Sequence, residues 1–262
     1  MDGVTPTPLA FPAPPQPPGH SRRTRRVLLA VAAAWGLVLA VSGIWYSFHG
    51  RATAREQTTV SGARLVVDTA IGYAARAAGG SAVPAVFGFD KVANCDVTPI
   101  RAGERYAREL WLFVTADGTG PLLDRLVAGL PASYHAKAYH AAHTMSADAG
   151  DFVALDAKVL APGLVSVTAD TGCRPPGQPP AADPTTRPGA DPLGIDGTWR
   201  VHTLPCGLRT ATVTGAAQRP VSALPRADTV VATDDVYADR TGLAAYNDGS
   251  LVTVATTTGT CR

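Results

Sequence analysis

This chain is poor in lysine, in net charge and in aromatic residues. Lysine occurs only at Lys91, Lys137 and Lys158, and the remaining cationic residues are arginines, a bias typical of a high-GC genome. The formal net charge is only +2 at pH 7, so the chain lacks the strongly positive field that attracts nucleic acid. Aromatic residues make up 6% of the sequence, which leaves few large side chains for a core. We therefore expect no nucleic-acid partner, and a fold that needs support beyond apolar packing.

Sequence signatures of common enzyme classes are also missing. The chain has no GxSxG, SxxK or HExxH, no phosphate-binding GxxxxGK[ST] and no dinucleotide-binding GxGxxG. Its four cysteines include no CxxC pair, the usual spacing of a redox or zinc motif. The sequence therefore predicts no cofactor, no metal and no catalytic residue, and it favours a non-enzymatic protein.

Charge is absent from residues 27–48, VLLAVAAAWGLVLAVSGIWYSF, a run of 22 residues. A helix of this length crosses a hydrocarbon core of about 30 Å. Four arginines precede it in RRTRR, whereas aromatic residues and two arginines follow, which predicts a cytoplasmic N-terminus and an extracytoplasmic C-terminal region. We expect an uncleaved single-pass signal anchor in the cell membrane. The alternative is a signal peptide cut near Ala52-Thr53-Ala54.

The four cysteines all follow this span and therefore face an oxidising compartment. Their number is even, which allows two disulfides. The alternative is a set of inert buried thiols. We predict two structural disulfides, formed by Cys95, Cys173, Cys206 and Cys261.

Three further segments have a distinctive composition. Residues 1–26 include seven prolines, all within the first 21 residues. This composition predicts a disordered cytoplasmic tail, and the alternative is a ligand for a proline-binding module. Residues 49–80 carry apolar side chains at spacings of three and four, which predicts a juxtamembrane helix, either a stalk or a packing helix. Residues 175–195 are rich in proline and lack apolar periodicity, so we expect a linker.

The sequence on the two sides of this linker repeats itself. LVSVTADTG at 164–172 and LVTVATTTG at 251–259 share five of nine positions, and a Cys-Arg follows each. Upstream, the order Cys, Val-Thr, Pro, Leu-Pro occurs in both halves, with the same seven-residue distance from Val to Pro and shorter spacings elsewhere in the second. Chance is the alternative, because Val, Thr, Ala and Gly are abundant. We interpret the order as a duplication comprising residues 81–174 and 196–262.

The duplication makes a specific prediction about the disulfides. Equivalent cysteines pair within each half, which gives Cys95–Cys173 and Cys206–Cys261, one of three connectivities. The extra Thr260 before Cys261 displaces the second bridge by one residue, which a turn or a bulge must absorb.

Local patterns predict an α+β fold in which each half has a ββαβββ-like order, with the second half shortened. RAGERYA at 101–107 is expected to be a hairpin turn between strands 96–100 and 108–116. PLLDRLVAGL starts with proline and places its leucines on one side, which predicts a helix. SYHAKAYH, DFVALDAKV and GLVSVTAD are expected strands, and Asn247-Asp248-Gly249 is a hairpin signal. Two sheets or one merged sheet both fit this pattern.

Several polar clusters of the sequence are candidate binding or catalytic sites. His135, His140 and His143 are the nearest approach to a metal cluster, but neither the spacing nor a supporting carboxylate favours one. The other clusters are more typical of turns and solvated strands: the aspartates of TDDVYADRTG (Asp234, Asp235, Asp239), the acidic set Asp96, Glu104 and Glu109, and Gly118-Thr119-Gly120 before the predicted helix. Arg174 and Arg262, which follow cysteines, are expected to be solvated at strand ends.

The layout of a proline-rich tail, one span and a disulfide-bearing ectodomain resembles that of actinobacterial envelope proteins, which implies a location and no activity. We expect a membrane-anchored protein whose extracytoplasmic module binds a protein or cell-wall partner. One alternative is a membrane-tethered hydrolase that uses residues such as His135, His140, Asp151 or Asp156. The other is a subunit of an envelope or secretion complex.

Overall fold

A computed structural model of the protein describes residues 22–49, 58–186 and 191–261. The chain divides into two compact units, Met1–Arg51 and Ala52–Arg262. The tail up to residue 21, residues 50–57 with the alternative cleavage site, linker residues 187–190 and Arg262 lie outside the described residues.

The first unit contains one helix, α1, at Arg22–His49. Within it, Arg23–Ile44 is long and apolar enough to cross a membrane, with a mean hydropathy of 2.4 over its most apolar window. Its apolar side chains are exposed in all directions around the helix, as in a helix that meets lipid. An N-terminal helix of this kind is a membrane anchor or a signal sequence.

The second unit opens with helix α2 at Val60–Ala78 and contains two antiparallel sheets of six strands each. Few helices accompany the sheets, so the fold is α+β, as predicted. The two sheets are separate, which decides between the alternatives that the sequence left open.

The first sheet, sheet A, has the strand order β1-β2-β6-β5-β4-β3. Along the chain, helix α3 at Thr119–Gly129 lies between β2 and β3. The strands are β1 Val83–Thr98, β2 Arg101–Phe113, β3 Lys137–Tyr139, β4 Thr144–Asp148, β5 Ala154–Ala161 and β6 Leu164–Arg174.

The second sheet, sheet B, has the order β7-β8-β12-β11-β10-β9, the same arrangement of chain order as in sheet A. A single 3-10 turn at Val221–Ala223 stands where sheet A has α3. The strands are β7 Arg200–Thr203, β8 Arg209–Gly215, β9 Thr229–Ala232, β10 Val236–Asp239, β11 Leu243–Asn247 and β12 Val252–Thr258.

Apolar side chains form three cores, because strand residues alternate between faces. The first lies between α2, α3 and one face of sheet A, and Leu204 and Leu208 of the second half complete it. The second joins the other face of sheet A to sheet B, where Trp111 meets Tyr246 edge to face with ring centroids 5.4 Å apart. The third covers the far face of sheet B. The second unit is therefore layered, with helices, sheet A and sheet B in succession.

Helix α2 is a packing helix, one of the two alternatives for residues 49–80. Thr58 and Thr59 are not helical, so α2 begins at Val60 rather than continuing from the span. Ala70 and Ile71 on one face are fully buried in the first core, whereas Leu65 on the opposite face is 67% exposed.

The predicted hairpin turn at 101–107 is wrong. These residues belong to β2 and pair with β1, and the chain turns at Pro99-Ile100. The charges of RAGERYA suggested a turn, but this long hairpin keeps alternating faces, so its polar side chains lie on exposed ladder positions. β1 begins at Val83, before the expected strand, and β4 was not predicted, so each half has six strands rather than the five of ββαβββ.

Two other local predictions are confirmed, and a third is corrected. PLLDRLVAGL forms α3 with Leu122, Leu123 and Leu126 buried. Asn247-Asp248-Gly249 lies in the connection from β11 to β12, where Gly249 adopts a φ of +94°. SYHAKAYH is mostly not strand, because 3-10 turns at Ala132–Tyr134 and His140–Ala142 leave only β3 between them.

The segment expected to be a linker packs against sheet B at both of its described ends. The amide of Val201 donates to the carbonyl of Pro184 (2.9 Å), which covers the outer edge of β7. Leu193 is fully buried in the third core, and the Asp191 carboxylate accepts from its amide at 2.9 Å.

The structure contains the two disulfides that the repeat predicts, Cys95–Cys173 and Cys206–Cys261. The first joins β1 to β6 across the end of sheet A. The second joins the chain after β7 to the chain after β12, and its Cys206 lies against α2 next to Gly72.

Candidate functional site

The arginine of the first Cys-Arg end is buried, which corrects the expectation that it is solvated. Arg174 is fully buried, and its Nη1 lies 3.3 Å from a carboxylate oxygen of Asp151 and donates to the Thr58 hydroxyl at 3.1 Å. Its Nη2 donates to the carbonyl oxygen of Asp151, and its Nε to that of Thr171 at 2.7 Å. Arg174 therefore holds the β4–β5 turn and the start of α2 to the end of β6.

The three candidate histidines are exposed and do not form one cluster. His140 pairs with Asp124 of α3 at 3.0 Å. His135 and His143 follow 3-10 turns with positive φ values of 49° and 52°. Among residues 22–49, 58–186 and 191–261, no group of three or more His, Cys, Asp or Glu side chains could hold a metal ion.

The candidate aspartates of sheet B hold turns. One Asp239 carboxylate oxygen accepts from the amide and hydroxyl of Thr241, at 2.8 and 2.7 Å, and its other oxygen accepts from Tyr237 at 3.2 Å. Burial and this neighbouring carboxylate raise the pKa of Tyr237 to about 12. Asp235 accepts from Asn247 across the next hairpin at 3.1 Å, and Asp234 is exposed.

The remaining candidates of the first half also have separate partners. Glu104 pairs with Lys91 at 2.7 Å, Glu109 accepts from Trp111 at 2.7 Å, and Asp96 is exposed. Gly118 caps α3 and donates its own amide to the carbonyl of Thr115 at 2.8 Å, as an ordinary turn does.

The residues suggested for a hydrolase do not converge through hydrogen bonds. Asp151 bonds to Arg174 and His140 to Asp124, and His135 lies on an exposed turn. Asp156 lies on β5, where desolvation and then the charge of Asp170 raise its pKa. The structure thus distributes these four residues among different local roles.

The second unit contains a cleft of about 860 Å³. It lies between the end of α2, the start of β1, the β10–β11 turn and the end of β12. Two of its lining residues are arginines, Arg76 and Arg240, and no lining residue is acidic. We call it the arginine cleft. The rest of the lining combines apolar residues and glycines with four threonines, Thr241, Thr257, Thr258 and Thr260.

Both arginines are held by ordered elements. Arg76 lies in the last turn of α2 with its guanidinium 5.4 Å from the ring centroid of Tyr73. Arg240 is exposed, and its amide donates to the carbonyl of Asp228 at 3.1 Å. Gly242 in the same turn has a φ of +95°, and a Cβ there would lie 2.3 Å from the Thr257 carbonyl oxygen, so only glycine fits. The turn therefore presents Arg240 from a fixed backbone.

A second pocket, of about 390 Å³, lies where the first strand of sheet A meets the edge of sheet B. Two of its lining residues, His202 and Thr212, belong to a chain of three polar side chains that Asp183 completes from behind the pocket. The Asp183 carboxylate lies 2.8 Å from Nδ1 of His202, and Nε2 of the same ring lies 2.8 Å from the Thr212 hydroxyl. His202 is only 4% exposed and Thr212 only 7%. We call these three residues the Asp-His-Thr relay.

The charge on Asp183 determines which atoms of the relay donate and which accept hydrogen bonds. Burial would raise the pKa of its carboxyl, but the hydrogen bond and charge of His202, with Arg108 and Arg64 behind it, lower it below the ordinary value. The ionised carboxylate accepts, so Nδ1 carries the hydrogen. In a neutral ring Nε2 is then the acceptor for the Thr212 hydroxyl hydrogen.

Strand geometry brings charged and backbone groups to this pocket. Arg200 is the cross-strand partner of Thr212 and lines the same pocket. Opposite, the β1–β2 register shifts between Val86 and Phe89, and the intervening Phe87 and Gly88 line the pocket as well.

Sequence patterns indicate only part of this arrangement. Alternation in RVHT places Arg200 and His202 on one face of β7, and RTATVTG places Thr210, Thr212 and Thr214 on one face of β8. Nothing in the proline-rich segment indicates that Asp183 folds back onto the histidine, because that contact depends on the path of an irregular chain.

Comparison with known proteins adds no function. No protein-family model matches the chain, and no curated protein or solved structure matches it.

Proposed function

We propose that this chain is a single-pass envelope protein whose extracytoplasmic unit binds an acidic peptide in the arginine cleft. The observation that carries the proposal is a cleft of about 860 Å³ that presents the exposed Arg240 from a fixed turn and has no acidic side chain among its described lining residues. Charge complementarity selects a carboxylate-bearing ligand, and a lining that combines apolar residues with threonine hydroxyls favours contact with a peptide rather than a small ion.

The anchoring part of the proposal is supported by the apolar helix α1 and by the two disulfides. A span with four arginines before it is oriented with its N-terminus in the cytoplasm. Disulfides persist outside the cytoplasm, and both bridges lie in the second unit. The anchor would thus hold the binding unit at the outer surface of the membrane.

We also propose that the two sheets descend from one duplicated module. The shared strand order supports this origin, as do the two disulfides: one joins the first strand of sheet A to its last strand along the chain, and the other joins the residues that follow the corresponding strands of sheet B. The two halves are no longer equivalent in use, because the arginine cleft takes Arg76 from the first half and Arg240 from the second.

The binding proposal can be tested with the full chain in detergent micelles and a fluorescein-labelled peptide of alternating alanine and glutamate. We expect saturable binding by fluorescence anisotropy, weakened by added salt. R240Q removes one charge from an exposed side chain and should weaken binding about tenfold, the effect of one charge-assisted hydrogen bond.

Two controls make the result specific. The same peptide with glutamine in place of glutamate should not bind. R219Q removes an exposed arginine outside the cleft lining and should leave the affinity unchanged. Equal loss in R240Q and R219Q, or equal binding of the glutamine peptide, would contradict the proposal.

The membrane orientation needs a separate experiment. A reporter enzyme that is active only outside the cytoplasm should be active when fused after residue 58 and inactive when fused before Arg22. A silent fusion at residue 58 would overturn the orientation without affecting the cleft.

A further inference from the structure

We propose that the Asp-His-Thr relay is an acyl-transfer site in which Thr212 is the nucleophile and small carboxylic esters are the substrates. This site lies in the second pocket, and its function does not depend on peptide binding in the arginine cleft.

The distances carry the inference. A carboxylate, an imidazole and a hydroxyl form one chain with both contacts at 2.8 Å, through opposite nitrogens of the ring. This is the order of roles in a nucleophilic triad, in which the carboxylate orients the ring and the ring takes the hydroxyl proton. Such triads are recognised by geometry rather than by sequence position, and they occur on unrelated folds.

The two neighbouring threonines of β8 satisfy their hydroxyls without a histidine, so a structural role of Thr212 would not require His202. Thr210 pairs with Thr257 at 2.9 Å, and Thr214 pairs with Thr253 at 2.9 Å, so hydroxyl pairs are the usual solution at this face. Thr212 alone is bonded to an imidazole that is itself bonded to a carboxylate. Thr212 is also one of the residues that line the second pocket.

The chemistry balances without a metal or a redox partner. Oγ1 of Thr212 bonds to the acyl carbon while its proton passes to Nε2 of His202. The carbon–oxygen bond to the leaving alcohol then breaks, and the alcohol takes that proton, which leaves an acyl-threonine. Water attacks the acyl carbon in the second half, its proton returns through Nε2 to Oγ1, and the acid departs.

The pocket indicates the substrate size and the source of charge stabilisation. A volume of about 390 Å³ admits a small acyl ester rather than a polymer. Arg200 is the cross-strand partner of Thr212 and lines the same pocket, so we assign to it the stabilisation of the negative charge that develops on the carbonyl oxygen, although Asp90 in the same lining opposes it. Asp183 acts as a positioning residue, because it reaches the substrate only through His202.

The test uses the full chain in detergent micelles with a biotinylated fluorophosphonate, which forms a covalent bond with activated hydroxyls. Peptide mass spectrometry should locate the label on Thr212, and p-nitrophenyl acetate should release a burst of p-nitrophenol. T212S should retain both signals, whereas T212V and H202Q should abolish them. D183N should slow labelling about 10²-fold or more and alter its pH profile.

T253V is the matched control, because Thr253 is a buried, hydrogen-bonded strand threonine outside both pockets. It should label as the unaltered chain does. Circular dichroism and disulfide mapping identify variants that do not fold; if T212V is among them, the mapped label and T212S carry the test. A folded, unaltered chain without label at Thr212 and without a burst would overturn the proposal, as would equal labelling in T212V.

Discussion

Two fully buried arginines, Arg108 and Arg174, each join segments that are distant in the sequence. Arg108 of β2 lies 3.2 Å from the Asp68 carboxylate of α2 and donates to the carbonyl of Thr203 at 3.2 Å. Burial raises the pKa of Asp68 although Arg108 opposes it, and burial lowers the pKa of Arg108 although Asp68 opposes it. Desolvation therefore offsets much of the attraction, and this pair fixes where α2 and β7 lie more than it stabilises the fold.

Arg174 should contribute more to stability, because it donates to the Thr171 and Asp151 carbonyls, the Thr58 hydroxyl and the Asp151 carboxylate, and because Asp151 keeps some contact with water. R174Q should lower the free energy of unfolding by about 3 kcal/mol, as expected for loss of charge-assisted hydrogen bonds at a buried site. Urea titration of the full chain, followed by circular dichroism, measures the change.

K91Q is the control for Arg174, because the Lys91–Glu104 pair is exposed and should contribute less than about 1 kcal/mol. Similar losses in K91Q and R174Q would show that the buried network is not specially stabilising.

At the scale of elements, α2 decides how the second unit is built. Its buried face contacts β2, β6 and α3, and the Cys206 end of the second half also lies against it. Gly129 at the end of α3 permits the close crossing, because a Cβ there would lie 2.6 Å from the Cβ of Ala77. The helix is thus a central part of the core, shared by both halves.

Substitutions on the buried and exposed faces of α2 can be compared within the same helix. I71A removes a fully buried side chain and should cost about 3 kcal/mol of unfolding free energy through lost burial and a cavity. L65A removes a side chain that is 67% exposed and should change it by less than about 0.5 kcal/mol. A stalk helix would instead show small and similar effects at both positions in urea titration.

At the scale of the whole molecule, the two sheets of the second unit should unfold together. The first core contains Leu204 and Leu208 of the second half, and Val86 of β1 donates its amide to the Thr210 hydroxyl of β8 at 3.0 Å. Each disulfide closes a long loop, of 78 and 55 residues in sequence separation, within its own half. Cooperativity between the halves must therefore come from packing.

Removing one disulfide should reveal that coupling. C206A/C261A should lose about 4 kcal/mol in the chain-entropy model, and C95A/C173A a similar amount. Hydrogen exchange should show that α2 loses protection together with β8 and β12 when the second bridge is absent. Full protection of α2 while β12 exchanges freely would instead indicate two independent halves.

The sequence by itself determined the features that depend on local composition or on order along the chain. The uncharged run 27–48 specified an apolar helix, periodic leucines specified α3, and the ordered landmarks specified the disulfide pairing. Local patterns failed at 101–107, because the polar residues of a long hairpin resemble those of a turn when only one face is buried.

Only the tertiary structure decided which residues meet across those elements. Asp183, His202 and Thr212 come from an irregular segment and two strands, and Arg76 and Arg240 come from different halves. Contacts of this kind depend on how sheets, helices and an irregular chain pack in three dimensions. Hydrophobic periodicity indicates which face of an element is buried, but it does not specify which distant element covers that face.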